Sequence, residues 1–148
     1  MKLNRSIPII KLYDTLIVSV QTELSDHLVM ELKDNIADEI RASNAKGLII
    51  EVSGVDIIDS FIARSIRDIA KVSNLMGVDT IVAGLDAGMA ITLVEMGMVL
   101  NNVRTKLNLE SALHAFGLNY YRDTSQEEEL DDFISDTGGT ENFDVTDA

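Results

Sequence analysis

The run Leu48-Ile49-Ile50-Glu51-Val52 limits the fold more than any other stretch of this chain. A strand with one face in water alternates apolar and polar residues, and this one barely does. A short, nearly all-apolar run bounded by turn residues suits a central strand covered on both faces. Amphipathic helical stretches flank it. Upstream, Ser25 or Asp26 offers a cap. Val29, Leu32, Ile36 and Ile40 then recur on one helical stripe, with Glu31, Asp34 and Asp38 opposite. Downstream, Asp59-Ser60 opens a second helix that runs to about Met76 and is ended by Gly77.

The same grammar extends in both directions. Ile7 to Tyr13 and Leu16 to Val20 read as strands, and Asp14-Thr15 between them is short enough for a hairpin. Pro8, the only proline, falls near a strand start, where its missing donor costs least. Thr80 to Ala83 is a further strand, Asp86 to Met96 a third helix ended by Gly97, Val103 the start of a last short strand, and Leu109 to Phe116 a fourth helix. On the third helix Met89, Ala90 and Leu93 form the apolar stripe, and Ile91 falls off it beside Thr92 and Glu95. Strands alternating with helices imply an α/β domain. Its sheet is mixed and mostly parallel, with about five strands, about four helices and an antiparallel start.

Charge divides the chain. The whole carries 25 acids against 12 bases, a net −13. Residues 122–148 hold ten of those acids and one base, a net −9, with Leu130, Phe133, Ile134, Phe143 and Val145 as the large apolar residues. So little apolar surface does not offset ordering entropy, and the segment reads as a mostly disordered acidic tail. Residues 1–121 are then the folded domain. The tail is a solubilising segment or, through Leu130, Phe133 and Ile134, a docking peptide.

Composition narrows the function. The negative balance disfavours nucleic acid and anionic membrane surfaces. No apolar run approaches the length of a membrane span, and residues 1–5 lack a signal-peptide core, so a cytoplasmic protein is expected. There is no Cys, and the two histidines, His27 and His114, are far apart, so neither metal nor cofactor is expected. No phosphate-binding loop, dinucleotide fingerprint or nucleophile elbow occurs. Gly84-Leu85-Asp86-Ala87-Gly88 lacks a phosphate cradle's Lys and spacing, and a strand-to-helix turn explains it.

The segment Ser53-Gly54-Val55-Asp56-Ile57-Ile58-Asp59-Ser60-Phe61-Ile62 stands out, because sites in open α/β sheets lie beyond the carboxyl ends of strands. On its helix Ile62, Ile66, Ile69, Ser73 and Met76 share one side; Ser60, Arg64, Arg67 and Lys71 share the other. Ser60 is either an ordinary cap or first-turn residue, or an exposed functional hydroxyl at a helix N-terminus. Asp56 and Asp59 read as a turn residue and a helix cap, with an acid–base or Mg²⁺ pair as the sharper alternative.

Residues from Ile7 to about Phe116 resemble a STAS domain, the fold of bacterial anti-sigma-factor antagonists. Ile7-Pro8-Ile9-Ile10-Lys11-Leu12-Tyr13, Leu16 to Gln21 and Val55 to Ala63 are similar to the RsbS-type stressosome branch. Leu75-Met76-Gly77 and Ala90 to Gly97 follow the same pattern. The resemblance implies a non-catalytic scaffold that sequesters a switch serine/threonine kinase and releases it on phosphorylation, with a cognate phosphatase to reset it. It places the phosphoacceptor at Ser60, a second at Thr92, and the kinase-binding face at Asp56, Asp59, Phe61 and Arg64. Where the family usually has a Pro early in the third helix, this chain has Asp86-Ala87-Gly88. The resemblance also implies at least a homodimer and a large mixed complex with paralogous STAS sensor proteins that carry N-terminal sensory domains. The alternatives are a simple anti-anti-sigma factor, a receiver-like phosphoacceptor using Asp56 or Asp59, and an enzymatic or small-molecule-binding domain. A receiver needs an early acidic pair, and the first hairpin offers one acid, Asp14, with Lys106 as the late lysine.

Overall fold

The computed structural model describes residues 6–21, 23–97 and 103–118. The elements run β1 (Ile9–Leu12), β2 (Thr15–Ser19), α1 (Asp26–Ser43), β3 (Gly47–Glu51), α2 (Ser60–Leu75), β4 (Asp79–Ala83), α3 (Ala87–Glu95), β5 (Arg104–Lys106) and α4 (Leu109–Ala115). The compact unit that carries them ends at Gly117. The acidic tail assigned to residues 122–148 lies outside the described residues.

Strand order follows chain order, β1-β2-β3-β4-β5. β1 is antiparallel to β2 and every other pair is parallel. Three crossovers that all step the same way, with the usual right hand, put α1, α2 and α3 on one face. The main core shows this. Leu16, Val18, Leu48, Ile50 and Val82 cluster with Leu32 and Ile36 of α1, Ile62, Ile66 and Ile69 of α2, and Met89 and Leu93 of α3. The intervening residues Ile17, Ile49 and Ile81 stand in register across β2, β3 and β4 and face the other way. α4 packs against β3, β4 and β5 on that second face and buries Ala112 and Leu113. Both faces of β3 are therefore dry, which is why its sequence does not alternate.

Local chemistry sets the ends of the helices. Ser25 caps α1, its hydroxyl accepting from the Leu28 N–H at 3.2 Å. Asp59, Asp86 and Asn108 cap α2, α3 and α4, each accepting a backbone N–H at 2.8 Å. Each cap satisfies a first-turn donor that has no helical partner. Inside the core, the buried Ser73 and Thr80 hydroxyls pair at 2.6 Å, so neither polar group is left unsatisfied.

Three expectations need correction. The hairpin turn is Tyr13-Asp14, not Asp14-Thr15, because Leu12 pairs with Thr15 and Thr15 is buried as the first residue of β2. Tyr13 takes a left-handed φ of 54°, and the Asp14 carbonyl accepts the N–H groups of Lys46 and Gly47, tying the turn to the start of β3. Met76 leaves the α2 stripe and is exposed, since the helix ends at Leu75. Ala90 is exposed because the short α3 buries Met89 and Leu93 alone.

Candidate functional site

The site is built on the loop from β3 to α2. Buried Val55 and Ile58 pin that loop to the core, and the Val55 N–H donates to the Val52 carbonyl at 3.0 Å. Gln21 packs so closely on Gly54 that a Cβ there would lie 2.8 Å from its Oε1. Between these anchors Asp56, Ile57, Asp59 and Ser60 point to solvent, with Ile57 76% exposed.

The division of labour at Asp59-Ser60 decides the chemistry. Asp59 is the cap, its Oδ1 accepting the Ile62 N–H at 2.8 Å. Ser60 is the first residue of α2, so its hydroxyl is not spent on capping. It stands exposed where unpaired N–H groups and the helix dipole favour negative charge. Arg64 is one turn on, exposed and on the same side. Phe61 is half-buried against the main core. It also lines, with Val29, Met30, Lys33 and Arg64, a cleft of about 400 Å³ between α1 and α2.

The structure thus brings Asp56, Asp59, Ser60, Phe61 and Arg64 onto one surface. Thr92 is not part of it. That residue lies within α3, half-buried, and its hydroxyl donates to the Gly88 carbonyl one turn back at 2.9 Å. The helix face expected for α2 is present: Ile62, Ile66, Ile69 and Ser73 are buried, Arg64 and Lys71 are exposed. Arg67 is half-buried, 3.5 Å from Asp68. His27 is exposed beside Glu31 at 3.9 Å, and His114 is exposed on α4.

The early acid that the sequence offers for a receiver-like site does not join Asp56 and Asp59. Asp14 precedes β2 and so lies at the opposite edge of the sheet from Asp56 and Asp59, which follow β3. Among the described residues no group of three or more His, Cys, Asp or Glu is placed to hold a metal ion, and no helix is long and apolar enough to cross a membrane.

One group at the site escaped the sequence reading. Glu51 ends β3, and its carboxylate accepts the Ser53 N–H at 2.9 Å and the Ser19 hydroxyl at 3.1 Å. The signal was a lone acid in a strand that is otherwise dry on both faces.

Comparison with known proteins adds to this geometry. The STAS domain family model matches residues 6–112. The RsbT co-antagonist protein RsbRD of Bacillus subtilis (strain 168) is 28% identical over 109 residues, which is 73% of this chain and 39% of that protein. The chain spans about two-fifths of the length of such RsbR relatives. A serine-to-glutamate variant of Moorella thermoacetica RsbS is 32% identical with a TM-score of 0.64, covering 74% of this chain and 92% of that one. A chain of the stressosome, described as a signal integration and transduction hub, is 33% identical with a TM-score of 0.66, covering 73% and 94%.

Proposed function

The chain belongs to the STAS domain family, and from that membership we propose that it is a non-catalytic stressosome scaffold that sequesters a switch serine/threonine kinase and releases it when Ser60 is phosphorylated. The observation that carries the reading is the cap: Asp59 holds the helix end, and the adjacent Ser60 hydroxyl is left exposed at a helix N-terminus. The likeness to RsbS, to the RsbR co-antagonists and to a stressosome chain supports a partner-switching role.

The mechanism follows from charge. The unmodified face of Asp56, Asp59, Ser60, Phe61 and Arg64 holds the kinase. A phosphate on Ser60 adds about −1.5 to −2 charges beside two carboxylates. The fold tolerates this, because first-turn N–H groups and Arg64 meet the dianion. A packed partner does not, because it must desolvate the new charge against like charge, at a cost of a few kcal/mol. About 3 kcal/mol is roughly 100-fold in affinity, enough for release. Thr92 is the second phosphoacceptor, acting as a limiter under strong stimulation. The working assembly is at least a homodimer and joins a large cytoplasmic complex with paralogous STAS sensor proteins, reset by a cognate phosphatase.

A pull-down from the native cytoplasm followed by phosphosite mapping tests the reading. It should recover a kinase and sensor paralogues, with acid-stable phosphate on Ser60. Labile phosphate on Asp56 or Asp59, or recovery of an anti-sigma kinase without the paralogues, would contradict it.

A further inference from the structure

We propose that Glu51 is a positioning residue for the switch, fixing the β3–α2 loop in the shape that presents Ser60, with Gly84 closing over the contact. The role assigned to Ser60 above is assumed; the contact itself is independent of it. Glu51 is the one charged residue of β3, and the other four are buried. A partly buried carboxylate is costly unless its oxygens are bonded. Here Oε2 takes the hydroxyl of Ser19, the register partner on β2, and Oε1 takes the N–H of Ser53, within the loop. Strand pairing does not need these bonds. The backbone ladder already secures the end of β3 through Val20 N–H to the Glu51 carbonyl at 2.8 Å and Val52 N–H to the Ala83 carbonyl at 2.9 Å. The side chain is spent on the loop.

Gly84 supplies the other half. It follows Ala83, the register partner of Glu51 on β4, and takes a φ of +91° that L side chains rarely adopt. A Cβ on it would lie 3.0 Å from the Ser53 nitrogen and 3.1 Å from Glu51 Oε1. Any side chain would therefore press on the very hydrogen bond that starts the loop. The Gly84 N–H donates to the Lys106 carbonyl at 3.1 Å, which joins the turn after β4 to the end of β5. This gives the glycine-rich turn Gly84 to Gly88 a task beyond ending a strand. It also ties the β4–α3 turn, which leads to Thr92, to the loop that leads to Ser60.

The test uses the full chain with Glu51→Ala, Glu51→Gln and, as a destabilised control away from the loop, Leu113→Ala. Amide exchange at Ser53 is measured by NMR, and phosphorylation of Ser60 by the co-purifying kinase is split into kcat and KM. Glu51→Ala should lose about tenfold protection at the Ser53 N–H and raise KM more than it lowers kcat. Glu51→Gln should restore both, because its amide oxygen accepts from Ser53 and its amide N–H donates to Ser19. Unchanged Ser53 protection in Glu51→Ala overturns the proposal. So does a KM increase of equal size in Leu113→Ala. If wild-type Ser60 is never phosphorylated, the switch falls, and Ser53 exchange still decides whether Glu51 holds the loop.

Discussion

Replacing Ser60 by Ala should leave the fold as stable as it was, whereas replacing its neighbour Asp59 by Ala should weaken it measurably. The magnitudes come from the first turn of α2. Asp59 accepts the Ile62 N–H at 2.8 Å, and losing such a cap costs about 1 kcal/mol, within a range of roughly 0.5–2. For a domain of this size 1 kcal/mol lowers Tm by about 4–6 °C. Ser60 has no share in that bond and is exposed, so Ser60→Ala should stay within about 0.5 kcal/mol of wild type. The higher helix propensity of Ala pushes it towards slight stabilisation. Asp59→Asn should recover most of the loss, since Asn caps about as well as Asp. Thermal unfolding followed by circular dichroism on the four proteins reads all of this. A Tm drop in Ser60→Ala equal to that in Asp59→Ala would refute the reasoning, because Ser60 would then be a structural residue like its neighbour.

Gly47 meets the Phe116 ring at the mouth of the second face, where a Cβ would lie 3.1 Å from the nearest ring carbon. Gly47→Val should cost about 1–3 kcal/mol by overpacking, and adding Phe116→Leu should return part of it in a double-mutant cycle; additive losses would show that the ring is not the obstacle. Removing residues 122–148 should change the net charge from −13 to −4 and lower solubility while leaving a cooperative thermal transition. Loss of that transition would make the tail part of the fold.

Much of this architecture is legible because its signals are local. Helix stripes, helix starts near Ser25, Asp59 and Asp86, and glycine stops at Gly77 and Gly97 each depend on neighbours within a turn or two. The dry strand at Leu48 to Ile50 announced two covered faces. The fourth helix itself was readable, but its place over the second face was not, since α4 reaches β3 across more than fifty residues. The hairpin turn slipped by one residue because Thr15 suits a turn by composition but is claimed by burial in β2. The lone acid in a dry strand marks Glu51, but its bond to Ser19 crosses a strand pair, so sequence spacing does not name that partner. At the site, the exposed side of α2 was readable from periodicity. Which of Asp59 and Ser60 caps the helix was not, because both residue types do so well.

The central claim is that the charge on Ser60 governs kinase retention, and the direct measurement is kinase affinity for wild type, Ser60→Ala, Ser60→Asp and the Ser60-phosphorylated protein, each shown folded by thermal melting. The account predicts equal, tight binding by wild type and Ser60→Ala. It predicts roughly 100-fold weaker binding by the phosphoprotein, and an intermediate loss for Ser60→Asp, whose single carboxylate carries less charge than a phosphate. Equal affinities across the four folded forms would contradict it and leave Ser60 as the first residue of a helix that Asp59 caps.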